Sequence, residues 1–326
     1  MYQGQKVIDV HGHMTTPDSF RNFAMTLMSL RSPGRQQYNL SDDELRESLL
    51  EHIEALDKRN IDYQLVSPRP VAMLHWESPH IQEQWCRVTN DVIAQSVKLF
   101  PDRFGGIAQL PQSNEHPDTS FLVEELERAV KDLGMVGALL NPDPSGMRDV
   151  PGVNEKYWYP LYEKAQELDV PLLVHPSITK DRRVRAIPHN YQINNVWEEY
   201  LATLLYIATD VFQVFPRLKV VICHAGGGLS RHFNSDIRDG HPPREEVREK
   251  YFNNLFFDTC VYDGSFMDTA VKQHGIDSMV FGTEIGAALR VDVVGLIDGL
   301  KDFSVEDKVK IFNTNPKRVY SRMKVA

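Results

Sequence analysis

The sequence predicts an α/β protein with a (β/α)8 TIM-type barrel, and three observations lead to this fold class. Short apolar runs alternate with longer segments of helical periodicity, and eight such pairs follow one another along the 326 residues. The apolar centres of these runs, such as LLV, VVI and MVF, are typical of parallel strands that are covered on both faces. No glycine-rich dinucleotide fingerprint follows the first run, which disfavours the alternative of an open, doubly wound sheet.

The predicted strands are short, and the first is VIDV at residues 7–10. Turn-forming or polar residues bound most of the runs, as expected for strands in a barrel. The remaining strands are predicted at residues 63–68, 104–111, 136–141, 171–177, 218–226, 254–260 and 278–284.

The segments between the strands have the spacing of amphipathic helices. Residues 41–60 begin with Ser41 as a candidate N-cap, and Glu44 stands three residues later as in a capping box. Gly134 predicts the end of the helix at residues 120–134. Further helices are predicted at residues 79–99, 157–168, 196–214, 265–275 and 304–323.

We expect residues 1–326 to form a single barrel domain, because chains of this length routinely fold as one (β/α)8 unit. The sequence contains no internal repeat, low-complexity tract or recognisable linker. Residues 14–40 are long for a loop between a strand and its helix, and they predict an inserted loop or short helix that folds over the site.

Composition limits the function classes. With 42% hydrophobic and 25% charged residues the chain is typical of a globular protein. Its net charge of −9 disfavours nucleic acid or an anionic membrane as a partner, but leaves a small anionic substrate possible. No apolar run is long enough for a transmembrane helix, and the first residues lack the pattern of a signal peptide. Cys86, Cys223 and Cys260 match neither a disulfide framework nor a zinc finger, so we expect a cytoplasmic protein.

Five side chains that can bind metal or transfer protons fall at the ends of predicted strands. His11 and His13 form an HxH pair, and residues two apart on a strand point to the same face. His175 and His224 end the fifth and sixth strands, and Glu284 ends the eighth. Active sites of barrels lie at the carboxyl ends of the strands. Three histidines and one carboxylate suit a divalent ion such as Zn²⁺ or Mn²⁺ with one open position.

Other interpretations of these motifs are weaker. An isolated histidine is more often a structural residue than a ligand. Gly226, Gly227 and Gly228 could form a phosphate cradle, but no Lys-Ser/Thr pair follows them. No GxSxG elbow is present for a serine nucleophile.

The motifs VIDVHGH, LLVHPS and FPRLKVVICHAGGG, with the acid of the eighth strand, resemble those of the amidohydrolase superfamily. They are most similar to its decarboxylase and hydratase branch, which includes aminocarboxymuconate semialdehyde decarboxylase. The resemblance extends from residue 7 to about residue 320. It implies one metal held by His11, His13, His175 and Glu284, with His224 in proton transfer. Asn141 stands where some amidohydrolases carry a metal-bridging lysine, which favours a single metal.

One departure narrows the resemblance. The decarboxylases usually carry an aspartate in the eighth strand, in patterns such as GTDYP or GSDWP, whereas this chain has FGTEIGAALR with Glu284. Together with LLNPDPSG, YWYPLYEKAQELDVPLLVH and NLFFDTCVYD, this motif is most similar to the 4-oxalomesaconate hydratases. That resemblance implies addition of water to an unsaturated tricarboxylate keto acid during bacterial degradation of lignin-derived aromatics.

A substrate with several carboxylates predicts arginine anchors, because the planar guanidinium binds a carboxylate through two hydrogen bonds. We expect Arg69 and Arg290 to serve in this way, ahead of Arg183 and Arg185. The weaker polar candidates for substrate binding are Asn194, Ser145 and Tyr262.

The leading hypothesis is a mononuclear metal-dependent lyase that acts as a hydratase, with Zn²⁺ favoured and Mn²⁺ as the alternative. His224 and Glu284 would act as its catalytic proton carriers. The alternatives are a non-oxidative decarboxylase of an aromatic or muconate-type acid, a lactone or amide hydrolase, and a non-catalytic metal-binding scaffold. The resemblance further implies a homo-oligomer, a dimer or larger.

Overall fold

Eight parallel strands form a barrel in the computed structural model, which describes residues 1–30, 38–113, 115–187, 191–228, 244–286 and 291–325. The strands follow one another around the barrel in chain order. Their bounds are β1 Ile8–His13, β2 Tyr63–Ser67, β3 Phe104–Ala108, β4 Gly137–Leu140, β5 Leu172–Val174, β6 Val220–Ile222, β7 Leu255–Asp258 and β8 Met279–Val280. The barrel closes where the Val10 amide donates to the Phe281 carbonyl at 2.8 Å and Gly12 pairs with Ile285. The predicted (β/α)8 TIM-type barrel is therefore confirmed.

Helices lie between the strands, and most of them match the predicted segments within a few residues. α2 begins after Ser41, whose side chain accepts from the Glu44 amide as the capping pattern predicts. The helices are α1 Asp18–Leu30, α2 Asp42–Asp57, α3 Pro79–Leu99, α4 Ser120–Lys131, α5 Tyr159–Glu167, α6 Arg182–Arg185, α7 Tyr191–Ile207, α8 Val211–Val214, α9 Arg244–Lys250, α10 Gly264–His274, α11 Val293–Asp298, α12 Val305–Val309 and α13 Asn315–Val319.

Two of the predicted helices are wrong in extent. The helix expected at 196–214 begins earlier, at Tyr191, and is interrupted after Ile207 before α8. The helix expected at 304–323 is divided by a π-helical turn at Lys310–Thr314 and ends at Val319. The turn lies just before Pro316, which has no N–H to give to the carbonyl four residues earlier.

The predicted strands extend too far at their carboxyl ends. β5 ends at Val174, β6 at Ile222 and β8 at Val280, several residues before the predicted limits of 177, 226 and 284. His224 and Glu284 have positive φ angles, of 49° and 61°, which a β-strand does not allow. The functional side chains at these three places therefore follow the strands, on turns.

A bulge in β1 brings its two histidines into the barrel. The register of β1 against β2 shifts between Asp9 and Gly12. At Gly12 a Cβ atom would lie 2.1 Å from the Gln64 side chain, so the bulge requires glycine at this position. Gly286 has a φ of +134°, and a Cβ atom there would lie 1.9 Å from the His13 carbonyl oxygen. Both glycines let the backbone pack closely around His13.

A buried carboxylate ties β1 to the segment after β8. Asp9 accepts from the Gln64 amide at 2.7 Å, from the Thr283 hydroxyl at 2.5 Å and from the His11 backbone N–H at 3.0 Å. The Glu284 amide donates to the His11 carbonyl at 2.6 Å. These bonds fix the backbone on both sides of the barrel closure.

The segment at residues 14–40 contains α1, which packs on the barrel through Phe20, Ala24 and Leu27. Phe20 contacts the Trp85 ring with centroids 4.6 Å apart. Residues 31–37 of the segment lie outside the described residues. In the part of the chain that the structure describes, no helix combines the length and apolar character needed to cross a bilayer.

Candidate metal centre and active site

The structure brings four of the predicted metal ligands together at the carboxyl end of the barrel. Single ligand atoms of His11, His13, His175 and Glu284 all lie within 4.8 Å of one another. The three imidazoles are buried, and their ring centroids are 4.9 to 5.5 Å apart. These side chains come from β1 and from the turns after β5 and β8, so the barrel geometry is what makes them neighbours.

Hydrogen bonds at Nδ1 fix the orientation of each of the three imidazoles. His11 donates from Nδ1 to the Asp258 carboxylate at 2.6 Å, and His175 donates from Nδ1 to the Pro176 carbonyl at 2.8 Å. The Nδ1 of His13 lies 3.2 Å from the Ser67 oxygen, which itself donates to the Gly12 carbonyl. In all three rings Nδ1 therefore carries a proton, and Nε2 is the nitrogen that can face a metal.

The three Nε2 atoms are buried and have no hydrogen-bond partner. Burial lowers the pKa of His13 to about 4 and holds the pKa of His175 well below its ordinary value. Both rings are therefore neutral at pH 7, as metal ligands must be. Unpartnered buried nitrogens are costly unless something else binds them, and a cation fits this need.

Glu284 supplies the only carboxylate in this four-residue group. Its Oε1 lies 3.8 Å from His13 Nε2 and 3.9 Å from His175 Nε2. Ligands of a tetrahedral zinc ion are about 3.4 Å apart when the bonds are about 2.1 Å long. These two pairs need a contraction of only a few tenths of an ångström, and all four ligand atoms lie within 4.8 Å of one another, so the residues present fit a divalent metal.

His224 lies beside this group but is held differently. Its Nδ1 is 2.7 Å from Glu199, a fully buried carboxylate on α7, and its Nε2 is 3.6 Å from Glu284 Oε1. Burial opposes the charged imidazolium, but the charge of Glu199 and the hydrogen bonds outweigh it and hold the pKa of His224 well above its ordinary value. A protonated His224 can donate a proton into the space next to Glu284.

The second oxygen of Glu284 faces the segment after β7. The Tyr262 hydroxyl donates to Glu284 Oε2 at 2.7 Å, and Cys260 Sγ lies 3.9 Å from the same oxygen. Burial opposes ionisation of Glu284, but the neighbouring imidazoles of His13 and His224 hold the pKa of its carboxyl well below the ordinary value. The carboxylate is therefore charged, and Tyr262 fixes the position of its second oxygen.

Arg69 follows β2 at the edge of this site. Its guanidinium donates to the Gly286 carbonyl, and its charge acts on both His13 and Glu284. Asn194 on α7 is buried, donates to the Ser177 carbonyl at 3.3 Å, and keeps its own side-chain oxygen without a partner. Both remain candidates for substrate binding.

The other substrate-binding candidates are placed less favourably. The Ser145 hydroxyl bonds to Asp143 and Asp149 within its own loop. Arg183 is exposed and pairs with Asp181, and Arg185 is also exposed. Arg290 lies outside the described residues.

The sequence interpretation missed the partners that orient the histidines. Asp258 could have been suspected, because it is a charged residue that directly ends the apolar run LFF. Glu199 gives no such signal, since it lies mid-helix in an ordinary Glu-Glu pair. Arg21 on α1 was also missed, because nothing in the sequence indicates that its helix lies next to the loop of Arg69.

Comparisons with known proteins identify the family of the chain. The amidohydrolase family model matches residues 8–322. The chain is 32% identical to a 2-keto-4-carboxy-3-hexenedioate hydratase of Sphingobium, over 97% of this chain and 96% of the relative. It is 30% identical to a gamma-resorcylate decarboxylase of Polaromonas, over 74% of this chain and 79% of that protein. These relatives are lyases.

Solved structures show the same fold. The crystal structure of a 4-oxalomesaconate hydratase from Rhodopseudomonas palustris has a TM-score of 0.85 and 30% identity, with 97% of this chain and 96% of that chain covered. A dihydroxybenzoic acid decarboxylase from Polaromonas, solved with bound manganese, has a TM-score of 0.72 at 21% identity over 97% of each chain. The resemblance inferred from the motifs is confirmed, and the chain belongs to the amidohydrolase family.

Proposed function

We propose that this protein is a metal-dependent hydratase that adds water to a conjugated carbon–carbon double bond of an oxalomesaconate-like polycarboxylate keto acid. Its ion would be held by His11, His13, His175 and Glu284, with Zn²⁺ favoured and Mn²⁺ as the alternative. Relatives that include a hydratase at 32% identity over nearly the full chain support the reaction class. They also support a small carboxylic acid as the substrate.

One observation supports the metal site above all others. Three buried Nε2 atoms, each fixed as an acceptor by a donor bond at Nδ1, have no partner and lie close to a single carboxylate. In a scaffold without a ligand, such atoms would be expected to find protein or water partners.

The side chains around that site have complementary charge states for hydration. The reaction delivers a hydroxyl group to one carbon and a proton to its neighbour. A bound divalent ion would polarise a substrate oxygen or acidify water. Glu284, charged and oriented by Tyr262, can accept the proton of the attacking water. His224, kept protonated by Glu199, can donate to the adjacent carbon.

The distance between His224 and Glu284 suits a reaction in which one donates a proton and the other accepts one. His224 Nε2 and Glu284 Oε1 are 3.6 Å apart, so they can act on neighbouring atoms of one bound molecule. Asp258 and Ser67 hold the histidines of β1 in position. Arg69 would hold a substrate carboxylate at the edge of the site, with Asn194 as a further polar contact.

A non-oxidative decarboxylase is the second candidate. It is favoured by the decarboxylase relatives, several of them about 30% identical over roughly two thirds or more of this chain. The same proton carriers could protonate the carbon from which carbon dioxide leaves. Glu284 argues for hydration, because this chain has FGTE where the resemblance leads us to expect Asp in a decarboxylase.

A paired assay separates the two candidates. The metal-loaded protein is mixed with 4-oxalomesaconate and, separately, with 2,6-dihydroxybenzoate. Ultraviolet absorbance of the conjugated acid and released carbon dioxide are followed together. Hydration predicts loss of absorbance without gas, whereas gas release from either acid would reject it in favour of decarboxylation. Substitution Glu284→Ala serves as the inactive control.

A further inference from the structure

A cavity of about 380 Å³ lies between α1 and the loop that follows β2. It adjoins the metal centre, because Met14 and Gly286 line it and stand next to His13 and close to Glu284 in the chain. Nothing in the hydration chemistry described above requires this space. Its lining is largely apolar, apart from two guanidinium groups and a few hydroxyls.

Arg21 from α1 and Arg69 from the loop after β2 both line the cavity. Burial lowers the pKa of Arg69, and the nearby charge of Arg21 contributes to this lowering. Neither forms an ion pair with a carboxylate among the residues that the structure describes. Glu284 offsets part of the charge of Arg69, whereas Arg21 is exposed, so an anion that enters the cavity would meet two guanidinium groups.

The position of Arg21 is fixed by the packing of its helix. Phe20, its neighbour on α1, is buried against Trp85, and Ala24 packs one turn later. Arg21 and Met25 are four residues apart, and both line the cavity. The helix therefore presents one cation over an otherwise apolar wall.

We propose that Arg21 and Arg69 form a carboxylate subsite that binds the end of the substrate remote from the metal. Arg69 connects the two regions, because its charge acts on Glu284 as well as on Arg21. A substrate with carboxylates at both ends can then place its reacting carbons beside His224 while the distant carboxylate enters the cavity. This subsite selects aliphatic polycarboxylates over aromatic monocarboxylates, which lack the second anion.

This inference deepens the proposed function and rests on it for the placement of the reacting carbons. The subsite itself can be tested without turnover. Tricarballylate, a saturated tricarboxylate that cannot be hydrated, serves as the probe, and benzoate serves as the monocarboxylate comparison. Binding of each to the metal-loaded protein is measured by calorimetry at constant ionic strength.

Arg21→Met keeps an apolar stem of similar reach beside Met25 and removes the charge. We expect the Kd for tricarballylate to rise about tenfold to hundredfold, the loss of one charge-assisted pair, with benzoate changed less than about twofold. Arg21→Lys should restore part of the affinity, because a packing role alone would not depend on the charge. Arg217→Met, at an exposed position on the opposite end of the barrel, is the matched control and should leave both values unchanged.

The outcomes for the subsite and for the hydratase reaction are distinguishable. An unchanged tricarballylate Kd in Arg21→Met, or no tricarballylate binding by the wild-type protein, overturns the subsite, even where the wild type hydrates its substrate. Weakened tricarballylate binding in a protein that releases carbon dioxide from aromatic acids would uphold the subsite and reject the hydratase. Metal content measured on every variant shows that the cation centre is intact.

Discussion

Substitution of Asp258 tests the proposed metal centre without removing any of its four ligands. Its Oδ2 accepts from His11 Nδ1 at 2.6 Å, while its Oδ1 accepts from the backbone N–H groups of Ala225 at 3.2 Å and Cys260 at 2.9 Å. Both oxygens therefore face donors. In Asp258→Asn the amide nitrogen must face a donor in either orientation, and the negative charge beside His11 is lost.

The expected effect is weaker metal binding. Removal of a carboxylate that orients a ligand histidine typically costs about tenfold to hundredfold in metal affinity. This corresponds to about 1.4 to 2.7 kcal/mol. We expect the variant to fold, to bind metal with a Kd raised by this factor, and to recover much of its turnover when metal is in excess.

The assay is a competition titration of metal-free protein with Zn²⁺ and a chromophoric chelator, followed by activity as a function of free metal. Asp210→Asn is the matched control, since Asp210 is exposed and makes no side-chain capping bond. A Kd within about twofold of the wild type would refute the role of His11 as a ligand oriented by Asp258. Thermal unfolding of the metal-free proteins separates a metal effect from a general loss of stability.

Three further predictions follow from the same structure. His224→Gln should retain metal and lower kcat by about 10² to 10⁴, the contribution of a general acid; loss of metal in this variant would make His224 a ligand. Tyr262→Phe removes the 2.7 Å bond to Glu284 Oε2 and should lower kcat/KM with metal content unchanged, and kinetics equal to the wild type would exclude it from the site. Burial lowers the pKa of His274 from 6.5 to about 4. Between these two pH values, His274 is protonated in the unfolded chain but stays neutral in the folded protein. The free energy of unfolding should therefore fall by about 3 kcal/mol between pH 6.5 and 4 on this account, and chemical denaturation of His274→Gln, in which the group is absent, should show a flatter pH dependence.

The barrel could be predicted from the sequence because its signals are local and repeated. Apolar runs such as LLV and VVI predict buried strands without reference to the rest of the chain. Their alternation with helices predicts a parallel sheet. The barrel prediction also implied that His11, His175 and Glu284 lie close together, because the carboxyl ends of all the strands lie at the same end of the barrel.

The features that the sequence did not predict depend on contacts between residues that are far apart in the chain. The backbone at His224 and Glu284 leaves the strand with positive φ angles, and the apolar pattern gives no sign of this. Glu199 reaches His224 across 25 residues and from a different element, so no local spacing could reveal the pair. Arg21 and Arg69 meet only because α1 packs through Phe20 onto Trp85. A homo-oligomer and a cytoplasmic location stay predictions from the sequence.

Anomalous diffraction from crystals grown with Zn²⁺ or Mn²⁺ tests the metal centre most directly. One strong peak per chain, within bonding distance of the Nε2 atoms of His11, His13 and His175 and of a Glu284 oxygen, is the expected result. A peak bound elsewhere, or no peak between these four side chains at saturating metal, would contradict both the ligand assignment and the lyase chemistry built on it.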